Sequence, residues 1–304
     1  MKLIVTGGAG FIGSHLTEYL VGKKHDVIVI DNLKEGKLNN LRNVKDKIEF
    51  LNLDILDYEK LKQTMKNIDG VFHEAGLTSV NDSFKKEKEY FATNVKGTEN
   101  ILKLAERFGF RVIFASSASV YGNAKKIPIK ENVRRNPLNP YGKTKVEAEI
   151  LCDTYRKKGV SVMALRYFNV YGLRQNSNYA GVITKFLDRI ADKKPPIIYG
   201  DGCQIRDFVY VGDVVRANLF AMTSNSKIGS VNIGSGNGIS VNQLAKMVID
   251  LSGYKIKSIY RDATPGDIRE SIADTSLAKK LLHWKPKTNL KNWLKQVLMA
   301  MQND

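Results

Sequence analysis

The chain has 304 residues, of which 43% are hydrophobic, and this length allows one large domain or two smaller ones around a buried core. Its 48 lysines and arginines outnumber its 31 aspartates and glutamates, so the formal net charge is +17. The basic residues are scattered rather than grouped in blocks, and no apolar run reaches the roughly 18 residues that a membrane span needs, so we expect neither specific nucleic-acid binding nor a membrane protein.

The cysteines and histidines do not form a disulfide or metal pattern. Cys152 and Cys203 are too few for a disulfide framework, and the four histidines lack the spacing of metal ligands. The first residues also lack the long apolar stretch of a signal peptide. We therefore expect no bound metal and a cytoplasmic location, where thiols stay reduced.

Short apolar runs alternate with helical patterns along the first half of the chain. A continuous apolar run is typical of a parallel strand that is covered on both faces. Such runs predict strands at 2–5, 27–30, 48–53, 71–72, 111–115 and 160–165, and helices are predicted near residue 16 and at 94–108 and 143–157. This alternation predicts an α/β fold with a doubly wound parallel Rossmann sheet.

A glycine-rich turn, Thr6-Gly7-Gly8-Ala9-Gly10-Phe11-Ile12-Gly13, separates the first strand from the first helix. Its glycines permit a tight turn and a close approach of backbone N–H groups to a diphosphate, and the helix N-terminus adds partial positive charge. Asp31 ends the second strand, where a carboxylate binds the ribose hydroxyls of NAD and repels the 2′-phosphate of NADP. We therefore predict an NAD site; the alternative is a purely structural turn.

Tyr141 and Lys145 are spaced i, i+4, so they share one face of a predicted helix. An ammonium group beside a tyrosine stabilises the phenolate, which lets a residue with an ordinary pKa of about 10 act as a base. A serine segment at 116–119 follows the apolar run at 111–115, at a strand end where α/β sheets bind ligands. Taken singly, these residues are also compatible with a solvated helix face and a turn.

Beyond about residue 171 the loops become longer and richer in glycine and proline, as at Pro195-Pro196 and at 234–238. We therefore place a soft boundary near residue 170. Residues 1–170 are predicted to be an NAD-binding Rossmann domain and residues 171–304 a smaller C-terminal α/β substrate-binding domain. This division leaves open a return of part of 207–233 to the Rossmann domain.

Together these motifs resemble the NAD-dependent nucleotide-sugar epimerase and dehydratase branch of the extended short-chain dehydrogenase/reductase family, from Val5 to Trp284. The resemblance implies a catalytic triad of Ser117, Tyr141 and Lys145. It implies that NAD is bound by Gly7, Gly10, Phe11, Ile12, Gly13, Asp31, Asn32, Asp54, Ile55, Ala75, Gly76, Asn94, Tyr141, Lys145 and Phe168. It implies that a UDP-sugar is bound by Thr78, Ser117, Asn169, Tyr199, Arg206, Asp267 and Ser271.

The residues after Ser117 favour one reaction within this family. Dehydratases resembling this chain carry Asp-Glu where it has Ala118 and Ser119, and decarboxylases usually carry glutamate at the second place. We therefore expect epimerisation at C4, on the glucose and galactose pair or the N-acetylhexosamine pair. The alternatives are a UDP-glucuronate 4-epimerase, another nucleotide-sugar dehydratase or decarboxylase, or a non-catalytic NAD-binding regulatory or nucleic-acid-associated protein.

Two positions depart from the family pattern. Thr264 stands where the family normally has an arginine that contacts the diphosphate. Ser271 stands where members restricted to glucose and galactose tend to have tyrosine, which leaves room for an N-acetyl group. The family is commonly dimeric, so we also expect a homodimer, with 94–108 and 143–157 as candidate interface helices.

Overall fold

The computed structural model describes residues 1–176, 181–263 and 268–303. The strands are β1 (Lys2–Thr6), β2 (Asp26–Asp31), β3 (Glu49–Asn52), β4 (Gly70–His73), β5 (Arg111–Ser117), β6 (Val162–Tyr167), β7 (Asn169–Tyr171), β8 (Ile197–Tyr199), β9 (Ile205–Tyr210), β10 (Ser230–Ile233), β11 (Gly238–Ser240), β12 (Ile259–Arg261) and β13 (Glu270–Ser271). The helices are α1 (Phe11–Gly22), α2 (Tyr58–Thr64), α3 (Val80–Lys85), α4 (Glu87–Phe91), α5 (Gly97–Phe108), α6 (Pro140–Lys157), α7 (Val182–Ala191), α8 (Val211–Thr223), α9 (Val241–Ser252), α10 (Ser276–Leu282) and α11 (Leu290–Asn303).

The core of the molecule is a seven-stranded parallel sheet in the order β10-β6-β5-β4-β1-β2-β3. Neighbouring residues of a strand point to opposite faces, and both faces are apolar. Leu3 and Val5 pack with α1 and α8 on one face, while Ile4 packs with α2, α5 and α6 on the other. The doubly wound parallel sheet expected from the apolar runs is therefore confirmed.

The edge strand β10 comes from late in the chain. It pairs with β6 from Ser230 opposite Ala164 to Ile233 opposite Tyr167, and α8 packs against α1. Residues beyond the soft boundary at 170 thus complete the main sheet. The assignment of 1–170 and 171–304 to separate cofactor and substrate domains stays a prediction.

A smaller region is built around β9. This strand pairs with β11 antiparallel and with β7 and β13 in parallel, while β8 and β12 form a separate two-stranded sheet. Helices α7, α9 and α11 cover a second core that contains Phe186, Leu244 and Trp293. Because β7 follows β6 after a single residue, this region is attached directly to the carboxyl edge of the main sheet.

A buried ion pair joins α6 to the main sheet. Nε and Nη2 of Arg166 on β6 donate to the two carboxylate oxygens of Glu149 at 2.8 and 2.7 Å. Ser116 Oγ on β5 donates to Glu149 at 2.6 Å, and Nη1 of Arg166 donates to Tyr121 Oη at 2.8 Å. Glu149 and Arg166 are only 2% and 4% exposed. Arg135 Nη1 also donates to Glu149 at 3.1 Å, so Glu149 has two cationic partners, whereas Arg166 depends on Glu149 to compensate its charge.

We expect Glu149→Ala to destabilise the fold by about 3–5 kcal/mol, because it leaves the Arg166 guanidinium buried without its counter-charge. The matched control is Glu147→Ala, on an exposed position of the same helix, which should change the free energy of unfolding by less than about 0.5 kcal/mol. Urea unfolding followed by circular dichroism measures both. Equal effects of the two substitutions would contradict this role of the pair.

Candidate active site

A cavity of about 530 Å³ opens at the carboxyl ends of the central parallel strands. Of the residues predicted to form the site, those that line it are Gly7, Gly10, Phe11, Ile12, Gly13, Asp31, Asn32, Asp54, Ile55, Ala75, Gly76, Thr78, Ser117, Tyr141, Lys145 and Phe168. A wider cavity of about 930 Å³ is lined by residues of α6 such as Asp153 and Arg156, and it contains none of the predicted site residues. The smaller cavity is therefore the candidate active site.

In the glycine turn the backbone packs so closely that there is no room for side chains at Gly7 and Gly13. A Cβ on Gly13 would lie 2.1 Å from the carbonyl oxygen of Gly7, and one on Gly7, whose φ is +68°, would lie 2.7 Å from the backbone of Ala75. Helix α1 starts after Gly10, which supplies no side-chain cap, and its first turn carries no acid. The first N–H groups of α1 therefore face the cavity as a binding site for a diphosphate.

We expect Gly13→Ala to weaken NAD binding by about tenfold or more, which corresponds to about 1.4 kcal/mol, because the added methyl group displaces the turn. Gly22→Ala is the matched control on the same helix, since a Cβ there meets nothing within 4 Å. This control should bind NAD as the unchanged protein does and be equally or slightly more stable. Isothermal titration calorimetry with NAD distinguishes the two variants, and equal affinities would contradict the role of the turn.

The acid at the end of β2 is held in place by the turn itself. The Asp31 carboxylate accepts the N–H of Ala9 at 2.9 Å and the N–H of Leu33 at 2.8 Å, and it is 7% exposed. Burial raises the pKa of Asp31, and the two hydrogen bonds oppose that rise. Each oxygen retains a second lone pair for a ribose hydroxyl. Nearby, Asn32 Nδ2 donates to Asp54 at 2.8 Å, which orders the cavity wall next to Ile55.

His73 is a structural residue at the end of β4. The Thr98 hydroxyl donates to Asn94 O at 2.7 Å, so His73 Nε2 must be the donor in its 3.0 Å contact with Thr98 Oγ1. Nδ1 then accepts from Thr6 Oγ1 at 2.8 Å, and Thr6 Oγ1 in turn accepts from the N–H of Ala75 at 3.3 Å. Burial lowers the pKa of His73 to about 3, so the ring is neutral and serves to hold the segment beginning at Ala75.

Asn94 lies beneath the cavity and does not line it. It sits in a π-helical turn at Ala92–Lys96, and its amide donates to Leu77 O and Thr144 Oγ1, both at 3.0 Å. Its oxygen accepts the N–H of Leu77 at 2.8 Å. The side chain is therefore fully occupied in holding the cavity wall, and direct contact of Asn94 with the cofactor stays a prediction.

Tyr141 and Lys145, the predicted catalytic pair, lie in the first turns of α6. Asn139 caps this helix by accepting the N–H of Gly142 at 2.8 Å, and Pro140 occupies the first helical position. Lys145 Nζ donates to the carbonyl of Ala115 at 2.8 Å and lies 6.0 Å from the centre of the Tyr141 ring. The predicted i, i+4 spacing is thus realised inside the cavity rather than on a solvated helix face.

The electrostatics of the pair follow from its burial. Burial raises the pKa of Tyr141, and a hydrogen bond with the Ser117 side chain opposes that rise. Burial lowers the pKa of Lys145 to about 8, and the nearby carboxylate of Glu74 opposes that fall. Lys145 is therefore a cation that loses its proton just above neutral pH, next to a tyrosine that benefits from that positive charge.

The remaining predicted substrate residues lie around β9. Asn169 begins β7, and its Nδ2 donates to Asp207 O at 3.2 Å. Arg206 on β9 lies opposite the buried Ser271 on β13, while Tyr199 on β8 is 50% exposed. The structure thus brings Asn169, Arg206 and Ser271 into one small sheet beside the cavity and places Tyr199 on a separate sheet. Asp267 and Thr264 lie outside the described residues.

Several residues of the cavity were not predicted. Glu74 and Tyr167 line it next to the catalytic pair, and Arg174 lines it beside the glycine turn, where it pairs with both oxygens of Glu18 at 2.8 Å. Lys34 and Glu89 form an ion pair at its rim. A signal for Glu74 was present in the sequence, since it is a charged residue directly after a buried strand, where ligands bind in parallel sheets.

Within the described ranges, no group of three or more histidine, cysteine, aspartate or glutamate side chains is arranged to hold a metal ion. None of the described helices is both long and apolar enough to cross a membrane.

A parallel sheet with a glycine turn, an acid at the end of β2 and a tyrosine–lysine pair inside the cavity defines a dinucleotide-dependent enzyme of the short-chain dehydrogenase/reductase class. Residues 3–234 match the NAD dependent epimerase/dehydratase family. A Methanocaldococcus jannaschii protein named putative UDP-glucose 4-epimerase is 40% identical over 307 residues, which is 99% of each chain.

Two solved structures are similar over the whole chain. UDP-glucose 4-epimerase of Thermotoga maritima, solved with UDP-glucose, has a TM-score of 0.94 at 37% identity and covers 100% of this chain and 99% of that one. UDP-N-acetylglucosamine 4-epimerase of Methanobrevibacter ruminantium, in complex with UDP-N-acetylmuramic acid, has a TM-score of 0.94 at 34% identity, covering 99% and 98%. The chain therefore belongs to the NAD dependent epimerase/dehydratase family, as its motifs indicated, and its cofactor is NAD.

Proposed function

We propose that the protein is a UDP-sugar 4-epimerase that uses NAD. The observation that carries this proposal is the single cavity that contains both the glycine turn with Asp31 and the Ser117, Tyr141 and Lys145 side chains. The cofactor turn and the proton-transfer groups thus face one space that a sugar can enter. NAD supplies hydride transfer to and from C4 of the sugar when it is bound.

The chain's own residues move the proton. Tyr141, as phenolate, accepts the proton of the C4 hydroxyl, and Ser117 steadies the sugar oxygen through its hydroxyl. Lys145 favours the phenolate by its positive charge, and its bond to Ala115 O fixes it at the strand end. Epimerisation requires nothing further except a cavity in which the 4-keto sugar can turn over.

The segment after Ser117 supports epimerisation over dehydration and decarboxylation. Ala118–Val120 forms a short 3₁₀ turn, and the N–H of Ser119 donates to Ser117 Oγ at 3.1 Å. Neither Ala118 nor Ser119 carries a carboxyl group that could act as a general acid or base at C6. This position therefore fixes the Ser117 hydroxyl and supplies no further chemistry.

We expect Tyr141→Phe to lower kcat by about 10²–10⁴-fold, because the proton acceptor is removed. The fold and NAD binding should be retained, since the ring remains. The measurement is incubation with UDP-glucose, UDP-galactose, their N-acetyl forms and UDP-glucuronate, with products resolved by NMR. A 4-keto or decarboxylated product from the unchanged protein, or no turnover of any sugar, would contradict the proposal.

The range of sugars is inferred from Ser271, which is 6% exposed and lies opposite Arg206 in the small sheet. A small side chain at this position supports activity on the N-acetylhexosamine pair as well as on glucose and galactose. UDP-glucuronate is the competing substrate, and its turnover would assign the protein as a UDP-glucuronate 4-epimerase.

We expect Ser271→Tyr to lose most of its activity on the N-acetyl pair while retaining activity on UDP-glucose and UDP-galactose, because a phenol ring fills the added space. Ser271→Ala, which adds no volume, should keep both activities. Comparison of kcat/KM for the two sugar pairs checks this. A parallel loss on both pairs in Ser271→Tyr, or no activity of the unchanged protein on the N-acetyl pair, would contradict the assignment.

We also propose a cytoplasmic homodimer. The cytoplasmic location is supported by two free cysteines, of which Cys152 is buried and Cys203 exposed. The dimer is supported by apolar side chains left exposed on α3, α4 and α6, three helices that pack against one another: Phe84 at 60%, Phe91 at 40% and Ile150 at 50% exposure.

A further inference from the structure

We propose that Glu74 is a positioning residue of the active site, whose carboxylate acts through Lys145 by holding that amine in its protonated form. The kinetic part of this inference rests on the proposed epimerase function. The electrostatic part concerns only this chain's own side chains and holds without it.

The place of Glu74 is fixed by the backbone and by a chain of hydrogen bonds. Its N–H donates to Thr6 O at 3.1 Å, which keeps it directly after β4. Asn218 Nδ2 donates to Tyr167 Oη at 2.8 Å and to Val214 O at 3.1 Å, so both amide hydrogens are used.

These hydrogen bonds direct the hydroxyl proton of Tyr167 toward Glu74. The 2.8 Å contact to Glu74 Oε1 is shorter than the 3.1 Å contact to Asn218 Oδ1, and a carboxylate is the stronger acceptor. Glu74 is thus offered a donor on one oxygen, which favours its ionised form and fixes its orientation along the cavity wall.

Glu74 and Lys145 line the same cavity without forming a direct ion pair. Gly76, two residues after Glu74, comes close to the amine, since a Cβ built on it would lie 3.5 Å from Lys145 Nζ. Each of the two side chains shifts the ionisation of the other by direct charge interaction. Lys145 is buried and Glu74 is half-buried, so the attraction between them is only partly screened by water.

Among the described residues, the other titratable groups near Lys145 are neutral or already paired, so Glu74 is the counter-charge of Lys145. These groups are His73 at the end of β4, Tyr167 on β6, and Tyr141, Glu149 and Cys152 on α6. His73 is neutral, and burial raises the pKa of the Cys152 thiol and of both tyrosines. Glu149 is already neutralised by its bidentate bond to Arg166.

The remaining acids of the cavity face other partners. Asp31 accepts N–H groups from the glycine turn after β1 and the loop after β2, and Asp54 accepts one from the loop after β3. Glu35 accepts from the Asn176 amide, and Glu89 pairs with Lys34 at the rim. Burial raises the pKa of Glu74 to about 7 and lowers that of Lys145 to about 8. At the pH where Lys145 loses its proton, Glu74 is therefore mainly ionised and retards that loss.

The test is a pH titration by NMR of protein labelled with ¹³C at lysine Cε, with the Lys145 resonance assigned from the spectrum of Lys145→Met. Glu74→Gln removes the charge and keeps an oxygen to accept the Tyr167 proton. We expect the pKa of Lys145 to fall by about one unit in this variant. The matched control, Glu89→Gln, removes a charge from the rim of the same cavity and should leave the pKa of Lys145 unchanged.

A second readout needs no substitution. In the unchanged protein the Lys145 resonance should show a smaller additional inflection near neutral pH, where Glu74 ionises, because the two titrations are coupled. This readout also decides the question if Glu74→Gln does not fold. An unchanged Lys145 pKa in a folded Glu74→Gln variant, or a single inflection in the unchanged protein, would overturn the proposal.

The kinetic readout separates this inference from the proposed function. Lys145 must be charged to support the Tyr141 phenolate, so activity should be lost as pH rises through the pKa of Lys145. In Glu74→Gln the alkaline limb of the kcat/KM profile should move to lower pH by the same amount as the Lys145 titration. If the Lys145 titration shifts in Glu74→Gln but the unchanged protein has no epimerase activity, the proposed function is contradicted and the role of Glu74 is supported.

Discussion

The bidentate bond between Glu149 and Arg166 fixes helix α6 against strand β6, and α6 carries both Tyr141 and Lys145. Glu149 lies one helical turn beyond Lys145, so a displacement of this buried pair displaces the catalytic lysine with it. The Glu149 carboxylate also accepts a hydrogen bond from the hydroxyl of Ser116 on β5, the residue immediately before Ser117. The salt bridge therefore anchors both α6, with Tyr141 and Lys145, and the end of β5, with Ser117.

This arrangement separates the charges that build the fold from those that do chemistry. Below the cavity, the opposite charges of Glu149 and Arg166 are paired, and both side chains make further hydrogen bonds. In the cavity, Lys145 and Glu74 are less completely matched, and burial brings the pKa of each close to neutral. The enzyme can thus change protonation at the reacting end without loosening the helix that carries it.

Local patterns predicted the strands and helices of the fold well because each element depends mainly on neighbours in sequence. The strand at 160–165 was found two residues later as β6, and the helix at 143–157 starts three residues earlier, at Pro140, where proline is well suited to a first turn. The helix predicted at 94–108 begins instead with a π-helical turn, because Asn94 bonds to the distant Leu77.

Contacts between distant segments were beyond the reach of the sequence. The pairing of Ser271 with Arg206 joins strands more than 60 residues apart, and no local pattern indicates it. The hydrogen bonds that orient the buried His73 ring come from Thr6 and Thr98, on β1 and α5. The importance of Glu74 likewise arises only when β4, β6 and α6 are brought to one wall, because its charge matters through what surrounds it.

The position of β10 has a consequence for how this protein can be divided. A chain cut after residue 170 would keep the glycine turn and the catalytic pair but lose the strand that covers β6. All six residues of β6 are buried, so its exposed edge would present an apolar ladder ready to pair with other chains. We therefore expect the N-terminal part alone to be an aggregation-prone fragment rather than a transferable cofactor module.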